Sequence, residues 1–157
     1  MVWHVCRLEN TMGMPWTTAS AQFVAEGRFA GQDVCYYTAP GSKADVRVNR
    51  ALNAIAEQAE YEESRERNAA VFYGSHYDLV TVRGELKLTN RLGKDIRAEV
   101  VKHLSGEVKE TSGSPRDVRT AKGLKRVNPR HDLIWEVDLA AGETEELSYV
   151  YSVYVRN

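Results

Sequence analysis

Apolar residues recur at every second position over long stretches of this chain, and the longest stretch lies near its C-terminal end. From His131 to Leu139, Leu133, Trp135, Val137 and Leu139 fall in one phase, while Asp132, Glu136 and Asp138 fall in the other. From Leu147 to Val155, Leu147, Tyr149, Tyr151, Val153 and Val155 share a phase. Successive side chains of a strand point to opposite faces, so this spacing predicts two strands, each with one face on a core. Ala140-Ala141-Gly142-Glu143 supplies the turn between them. In Leu79 to Asn90, Val80, Val82, Leu86 and Leu88 face one side, and Thr81, Arg83, Glu85, Lys87 and Thr89 the other. Gly84 inside that run predicts a bulge or a close backbone approach. Ile96 to Leu104 returns with Ile96, Ala98, Val100 and Leu104 inward.

Shorter strands are predicted over Val2 to Leu8, Ala19 to Ala25, Val34 to Thr38 and Asp45 to Asn49, separated by turns such as Ala39-Pro40-Gly41-Ser42. Residues 51–67 carry two signals. Their Ala, Glu and Gln favour helix, with Leu52, Ile55 and Ala59 at helical spacing. Ile55, Ala59 and Tyr61 also fit a strand edged with charge, and the β surroundings favour that reading; one short helix in 51–67 is the alternative. Residues 105–130 are polar, basic and rich in Gly and Ser, and read as loop with room for one short strand. No internal repeat is visible. The expectation is one all-β domain over 1–157, an antiparallel β-sandwich, immunoglobulin-like in general architecture. The chain is long enough to bury a core. Met1 leads almost directly into a strand, which suggests a domain of a longer chain.

The net charge of −1 gives no global field toward nucleic acid or an anionic membrane, so no nucleic-acid partner is expected. No apolar run has the roughly 18 residues of a transmembrane helix. The chain contains no phosphate-binding glycine motif and no G-x-S-x-G elbow. Ser75 and His76 are adjacent, and adjacent strand residues point apart, which is poor geometry for a nucleophile and its base. His4 and Cys6 would share a strand face, but a zinc site needs at least three protein ligands and no third is apparent. Glu57, Glu60, Glu62, Glu63 and Glu66, interspersed with Arg65 and Arg67, read as a solvated face. No catalytic residue, metal ligand or cofactor is assigned. Cys6 and Cys35 lie in separate strands and read either as a disulfide or as two buried thiols.

Two groups are candidate binding residues. The segment holding Arg116, Arg119, Lys122, Lys125 and Arg126 is the largest local charge asymmetry, suited to phosphate, acidic polymers or an acidic protein surface. It lacks the interleaved aromatics of nucleic-acid readers. Trp16, after Pro15 in a loop, and Tyr154, outward on the last strand, are the surface aromatics suited to a glycan. Trp135, Tyr149 and Tyr151 are assigned to the core.

The order of turns resembles the C-terminal β-domain of mucoidy-inhibitor-A-like bacterial proteins, a domain of unknown function. Arg7-Leu8-Glu9-Asn10-Thr11 is similar to its Asn-Thr turn. Glu26-Gly27-Arg28-Phe29-Ala30-Gly31-Gln32 is similar to its glycine-flanked hairpin, and Thr38-Ala39-Pro40-Gly41 to its Pro-Gly turn. Leu86-Lys87-Leu88-Thr89-Asn90 matches a strand ending in Asn. Trp135 through Gly142-Glu143 to Tyr149-Val150-Tyr151 is similar to its closing hairpin. The resemblance implies a sandwich within a larger, often envelope-associated bacterial protein, and brings no catalytic residues. The function expected from these readings is a non-catalytic module for protein–protein or self-association. A carbohydrate- or polymer-binding module is the second reading, and a hydrolase whose residues converge only in three dimensions is the third.

Overall fold

A computed structural model describes residues 1–157 and contains eleven β-strands and no helix. By internal contacts the chain divides into two compact units, Met1–Asn53 and Ala54–Asn157.

The first unit holds β1 (Trp3–Glu9), β2 (Ala19–Ala25), β3 (Arg28–Cys35) and β4 (Lys43–Arg50). β1 pairs antiparallel with β4, and β2 with β3. The two ribbons meet along β3 and β4, where the Arg47 N–H donates to Asp33 Oδ2 at 3.2 Å and Asn49 Nδ2 donates to the Ala30 carbonyl at 3.3 Å. Val46 is fully buried at their junction. Cys6 and Cys35 are both free thiols.

The second unit is a sandwich of two sheets. β5 (Ala54–Phe72), β6 (Ser75–Asn90), β11 (Thr144–Arg156) and β8 (Glu107–Thr111) form one, in the order β5-β6-β11-β8. β7 (Ile96–Ser105), β10 (Arg130–Leu139) and β9 (Arg116–Thr120) form the other, in the order β7-β10-β9. The predicted inward residues meet between them. Leu133, Trp135, Val137, Leu139, Leu147 and Tyr149 are buried, and the Trp135 and Tyr149 rings pack with centroids 6.3 Å apart. The four-plus-three division is that of an immunoglobulin constant-type sandwich. Its last strand, β11, takes the central place that the fifth strand holds there.

The favoured strand reading of residues 51–67 holds and its helical alternative falls, while the reading of residues 105–130 is corrected. Residues 51–67 contain no helix: after a turn at 52–53 they enter β5, which is ladder-paired with β6. The helix-favouring Ala and Glu are overridden because Ala54, Ala56, Gln58 and Glu60 fall on the face that continues Leu88, Leu86 and Gly84 of β6. Residues 105–130 hold two short strands rather than one at most, because β8 and β9 are outer strands whose polar side chains face water.

The structure also contains an internal repeat that the sequence pattern did not disclose. Asn10 directly follows β1 and Asn90 is the last residue of β6, and both are fully buried. Asn10 Nδ2 donates to the carbonyls of Met14 (3.0 Å) and Thr38 (2.9 Å), and its Oδ1 accepts the Met12 N–H. Asn90 Nδ2 donates to the carbonyls of Lys94 (2.9 Å), Leu139 (3.3 Å) and Ala140 (2.9 Å), and its Oδ1 accepts the Leu92 N–H. The Asn10 N–H reaches the Ser42 carbonyl and the Asn90 N–H the Glu143 carbonyl, each closing a turn whose glycine has a left-handed φ, +75° at Gly41 and +79° at Gly142. The registers coincide as well. Cys6↔Val46 and Arg7↔Asp45 correspond to Leu86↔Leu147 and Lys87↔Glu146, and Ala19↔Cys35 and Gln22↔Gln32 to Glu99↔Glu136 and Lys102↔Leu133. Even the ion pair recurs, Arg7 with Asp45 and Lys87 with Glu146. β1, β2, β3 and β4 are thus the counterparts of β6, β7, β10 and β11, and β5, β8 and β9 have no counterpart in the first unit.

Candidate functional site

A charged cluster lies at the β5 margin of the second unit's core. Glu60 lies on β5, Lys102 on β7 and Tyr149 on β11, so the cluster spans both sheets. Lys102 Nζ sits 3.0 Å from Glu60 Oε1 and 5.4 Å from the centroid of the Tyr149 ring. The Tyr149 hydroxyl donates to the same Glu60 oxygen at 2.7 Å. Burial first, then the bond to Glu60, holds the Tyr149 hydroxyl well above the ordinary tyrosine range, so it stays protonated and acts as a donor. Burial and the Glu60 charge push Tyr151 up in the same direction. Lys102 falls in phase with Val100 and Leu104, so the alternation that predicted β7 marked it as inward; it was passed over because a lysine reads as solvated. Lys102 and the Tyr149 hydroxyl both engage Glu60 Oε1, so the cluster ties β5, β7 and β11 together.

His131 is also buried, with Nδ1 2.8 Å from Asp117 Oδ1 and Nε2 without a partner. At the open end of β6, Arg65, Arg67, Asn68, Asp78 and Asn157 line a hollow of about 460 Å³. Asp78 accepts the Asn68 N–H at 3.0 Å and pairs with Arg65 at 3.1 Å. The Asn68 N–H, then Arg65 and Asn157, hold the Asp78 carboxyl below the usual aspartate range. The hydrogen bonds to Glu62 and Asp78 raise Arg65 still further above the usual arginine range.

β5 carries the longest run of exposed residues of any strand. β5 is the outermost strand of its sheet, so one of its edges has no ladder partner. Thirteen consecutive residues, Ala56–Asn68, are exposed. Its ladder with β6 is regular from Ala54 to Glu62 and bulged between Glu62 and Ser64 and between Glu66 and Ala70. Bulges twist an edge away from further pairing, so the regular stretch is the part able to pair. Glu57 and Glu66 are in no ion pair, whereas Glu60, Glu62 and Glu63 are held by Lys102, Arg65 and Arg83.

Of the residues singled out in the sequence, Arg119, Lys122 and Arg126 come together. With Thr120, Ala121, Gly123, Leu124 and Pro129 they line a hollow of about 310 Å³ where β9 leads into β10. None of the three is in an ion pair. Arg116, at the start of β9, and Lys125, in the loop, are exposed beside it in sequence and do not line the hollow. The loop is docked, not free: Asn128 donates to the Tyr154 carbonyl and accepts its N–H, both at 2.8 Å, in the manner of a neighbouring strand. Tyr154 is half-buried and packs edge-on against Phe72, ring centroids 5.2 Å apart. Trp16, in the first unit, is half-buried in a backbone bridge with Thr38, its indole N–H directed at Met12 Sδ. No group of three or more His, Cys, Asp or Glu is placed to hold a metal ion, and no helix is long and apolar enough to cross a membrane.

The chain matches no family model, no curated protein and no solved structure.

Proposed function

We propose that the chain is a non-catalytic β-sandwich module that mediates protein–protein or self-association within a larger bacterial protein. The observation that carries this reading is the outer edge of β5, with thirteen exposed residues and a regular, unpaired stretch over 54–62. An unpaired edge offers a row of N–H and C=O groups to an added strand, and edge addition is a common way for one chain to recognise another. The similarity of the turns to mucoidy-inhibitor-A-like proteins supports an envelope-associated setting.

The experiment places a photo-crosslinking amino acid at Tyr61 in the full chain. Irradiation is expected to give adducts with a protein partner or a second copy. Consecutive residues of an antiparallel strand turn their N–H groups to opposite edges, so of Gln58→Pro and Ala59→Pro one removes a β6 bond and the other an outward N–H. The variant that keeps its melting temperature is the outward one, and it should lose the adducts. Adducts unaffected by that variant, or absent altogether, would sink the reading.

A second reading, an acidic polymer held by Arg119, Lys122 and Arg126, is supported by their convergence around one hollow. Binding of a polyanion such as heparin, lost on R119A/K122A, would favour it. Equal binding by that variant would rule it out.

A further inference from the structure

We propose that the open face of the β2–β3 ribbon is a self-association surface, covered by the same face of a second copy about a two-fold axis. The inference goes beyond the association reading above: it concerns a different surface, and the β5 edge plays no part in it.

Three observations carry it. The first is which face is open. The bridge Trp16↔Thr38 continues the β2–β3 ladder in register, so Trp16, Thr18, Ser20, Gln22 and Val24 share a face with Phe29, Gln32, Val34, Tyr36 and Thr38. The opposite face turns to β4, where Asp33 accepts the Arg47 N–H and a Cβ on Gly31 would overlap the Val48 carbonyl. On the open face Val24 is 66% exposed, Phe29 66% and Tyr36 71%. The second is the repeat. In the second unit the counterparts of Val24, Gln32, Val34 and Tyr36 are Leu104, Leu133, Trp135 and Val137, all buried. The first unit thus presents to water the face on which the second builds its core. The third is charge. Charged residues make up 27% of the chain, yet none of these ten positions holds one. A two-fold axis sets a face against itself, so any charge on it would meet its own sign. The polar groups on this face are hydroxyls and amides, which both donate and accept and can therefore pair with their own copies.

The two glutamines fix the axis. Gln22 and Gln32 lie directly opposite each other on the ladder, between the Ser20–Val34 and Val24–Phe29 rows. An axis along the glutamine row sets Gln22 on Gln22 and Gln32 on Gln32. Val34 then lies over Phe29 of the other copy and Ser20 over its Val24, as facing sheets of a sandwich pack. Ribbons of this length and width cover on the order of 700 Å² in total. That is less than the roughly 1,200 Å² of a standard interface, so the contact is weak and reversible.

The test is sedimentation velocity on the full chain, with the variants Q32E and Q32K. Wild type is expected to be half dimeric at roughly 10–100 μM. Its association should change less than about twofold between low and high salt, because no charges meet. Gln32 is exposed, so both variants should keep the wild-type melting temperature. Each alone should be monomeric, with like charges meeting on the axis. Mixed in equal amounts they should form a heterodimer that high salt weakens. If a variant does not fold, a photo-crosslinking amino acid at Phe29 in mixed heavy- and light-isotope chains replaces it. Mixed-isotope adducts are then expected, and adducts within single chains alone would overturn the proposal. So would a wild type that stays monomeric, a Q32E that dimerises like wild type, or a mixture that stays monomeric. Flotation of wild type with neutral phosphatidylcholine vesicles, lost in Q32E, would assign the face to a lipid surface and overturn it as well. Adducts at Tyr61 that persist in Q32E belong to the β5 edge, so the two readings can fail separately.

Discussion

Asn10 and Asn90 each do at one buried point what a longer turn would need several residues to do. Each side-chain amide donates to two or more backbone carbonyls, and each amide oxygen accepts one N–H. Truncation strands those carbonyls away from water, and each buried group left unpaired costs about 1–3 kcal/mol. Asn10→Ala and Asn90→Ala should therefore each lose about 3 kcal/mol of stability, read from urea midpoints with little change in slope. Trp135→Ala, removing a buried ring whose indole N–H also donates to the Ser112 carbonyl, should lose about 3–5 kcal/mol in the same assay. Trp135 was legible because its phase matches Leu133 and Val137. The asparagines were not, since a polar residue between strands reads as an exposed turn; the missed signal was Leu-x-Asn-x-(Met or Leu)-Gly at residues 8–13 and again at 88–93. Acid sensitivity also belongs to single residues. The folded carboxyls of Asp78, Asp45 and Glu62 titrate below their unfolded values, chiefly through the Asn68 N–H for Asp78, Arg7 for Asp45 and Arg65 for Glu62. A depressed carboxyl stabilises the fold above its unfolded value, near about 4, and loses that contribution as pH falls through its folded value. Thermal melts should thus drop below about pH 4, and Asp78→Asn should flatten that drop while lowering the plateau at neutral pH.

At the level of elements, β6 shows why a strand can require a glycine at its centre. A Cβ on Gly84 would overlap the Tyr149 ring, which lies against the backbone there and stacks on Tyr151 with centroids 6.2 Å apart. The interruption in an otherwise regular alternation was visible in the sequence, and it marks a close approach, with the β5–β6 ladder unshifted at Glu60↔Gly84. Gly84→Ala should cost about 2–3 kcal/mol by overpacking. Combined with Tyr149→Leu it should cost less than the sum of the two single changes, because the smaller side chain frees the space; additive losses would show that Gly84 matters for another reason. β5 was harder to read for a different cause. Its outward residues, its bulges and its free edge leave only a short inner face, so helix propensity and strand pattern compete on nearly equal terms until the ladder with β6 decides. β8 and β9 were hidden because five-residue strands at a sheet edge carry too few apolar positions to show a period.

For the molecule as a whole, the repeat accounts for an asymmetry in burial. Of thirteen buried hydrophobic residues only Val46 and Ala51 lie in the first unit, whereas ten of the sixteen exposed large hydrophobics are there. The four strands common to both units are the same ladder in the same register. What differs is that β5, β8 and β9 widen the second unit into two facing sheets, and Leu133, Trp135, Leu139, Leu147 and Tyr149 fill the space between them. A four-stranded unit of this length buries too little apolar surface to offset the entropy of ordering its chain, and domains below about 60 residues are marginal for that reason. Alternation along one strand reports that strand's own inward face. It cannot report how many sheets cover that face, which is why all-β character was legible from the pattern and the unequal cores were not. The consequence is testable by dividing the chain at the boundary. Ala54–Asn157 expressed alone should fold, with dispersed amide resonances and a single cooperative melt. Met1–Asn53 alone should give a collapsed, non-cooperative spectrum. A cooperative melt from Met1–Asn53 would mean that the Asn10 corner and the Val46 contact suffice, and that β5, β8 and β9 are needed for the edges they present and not for folding.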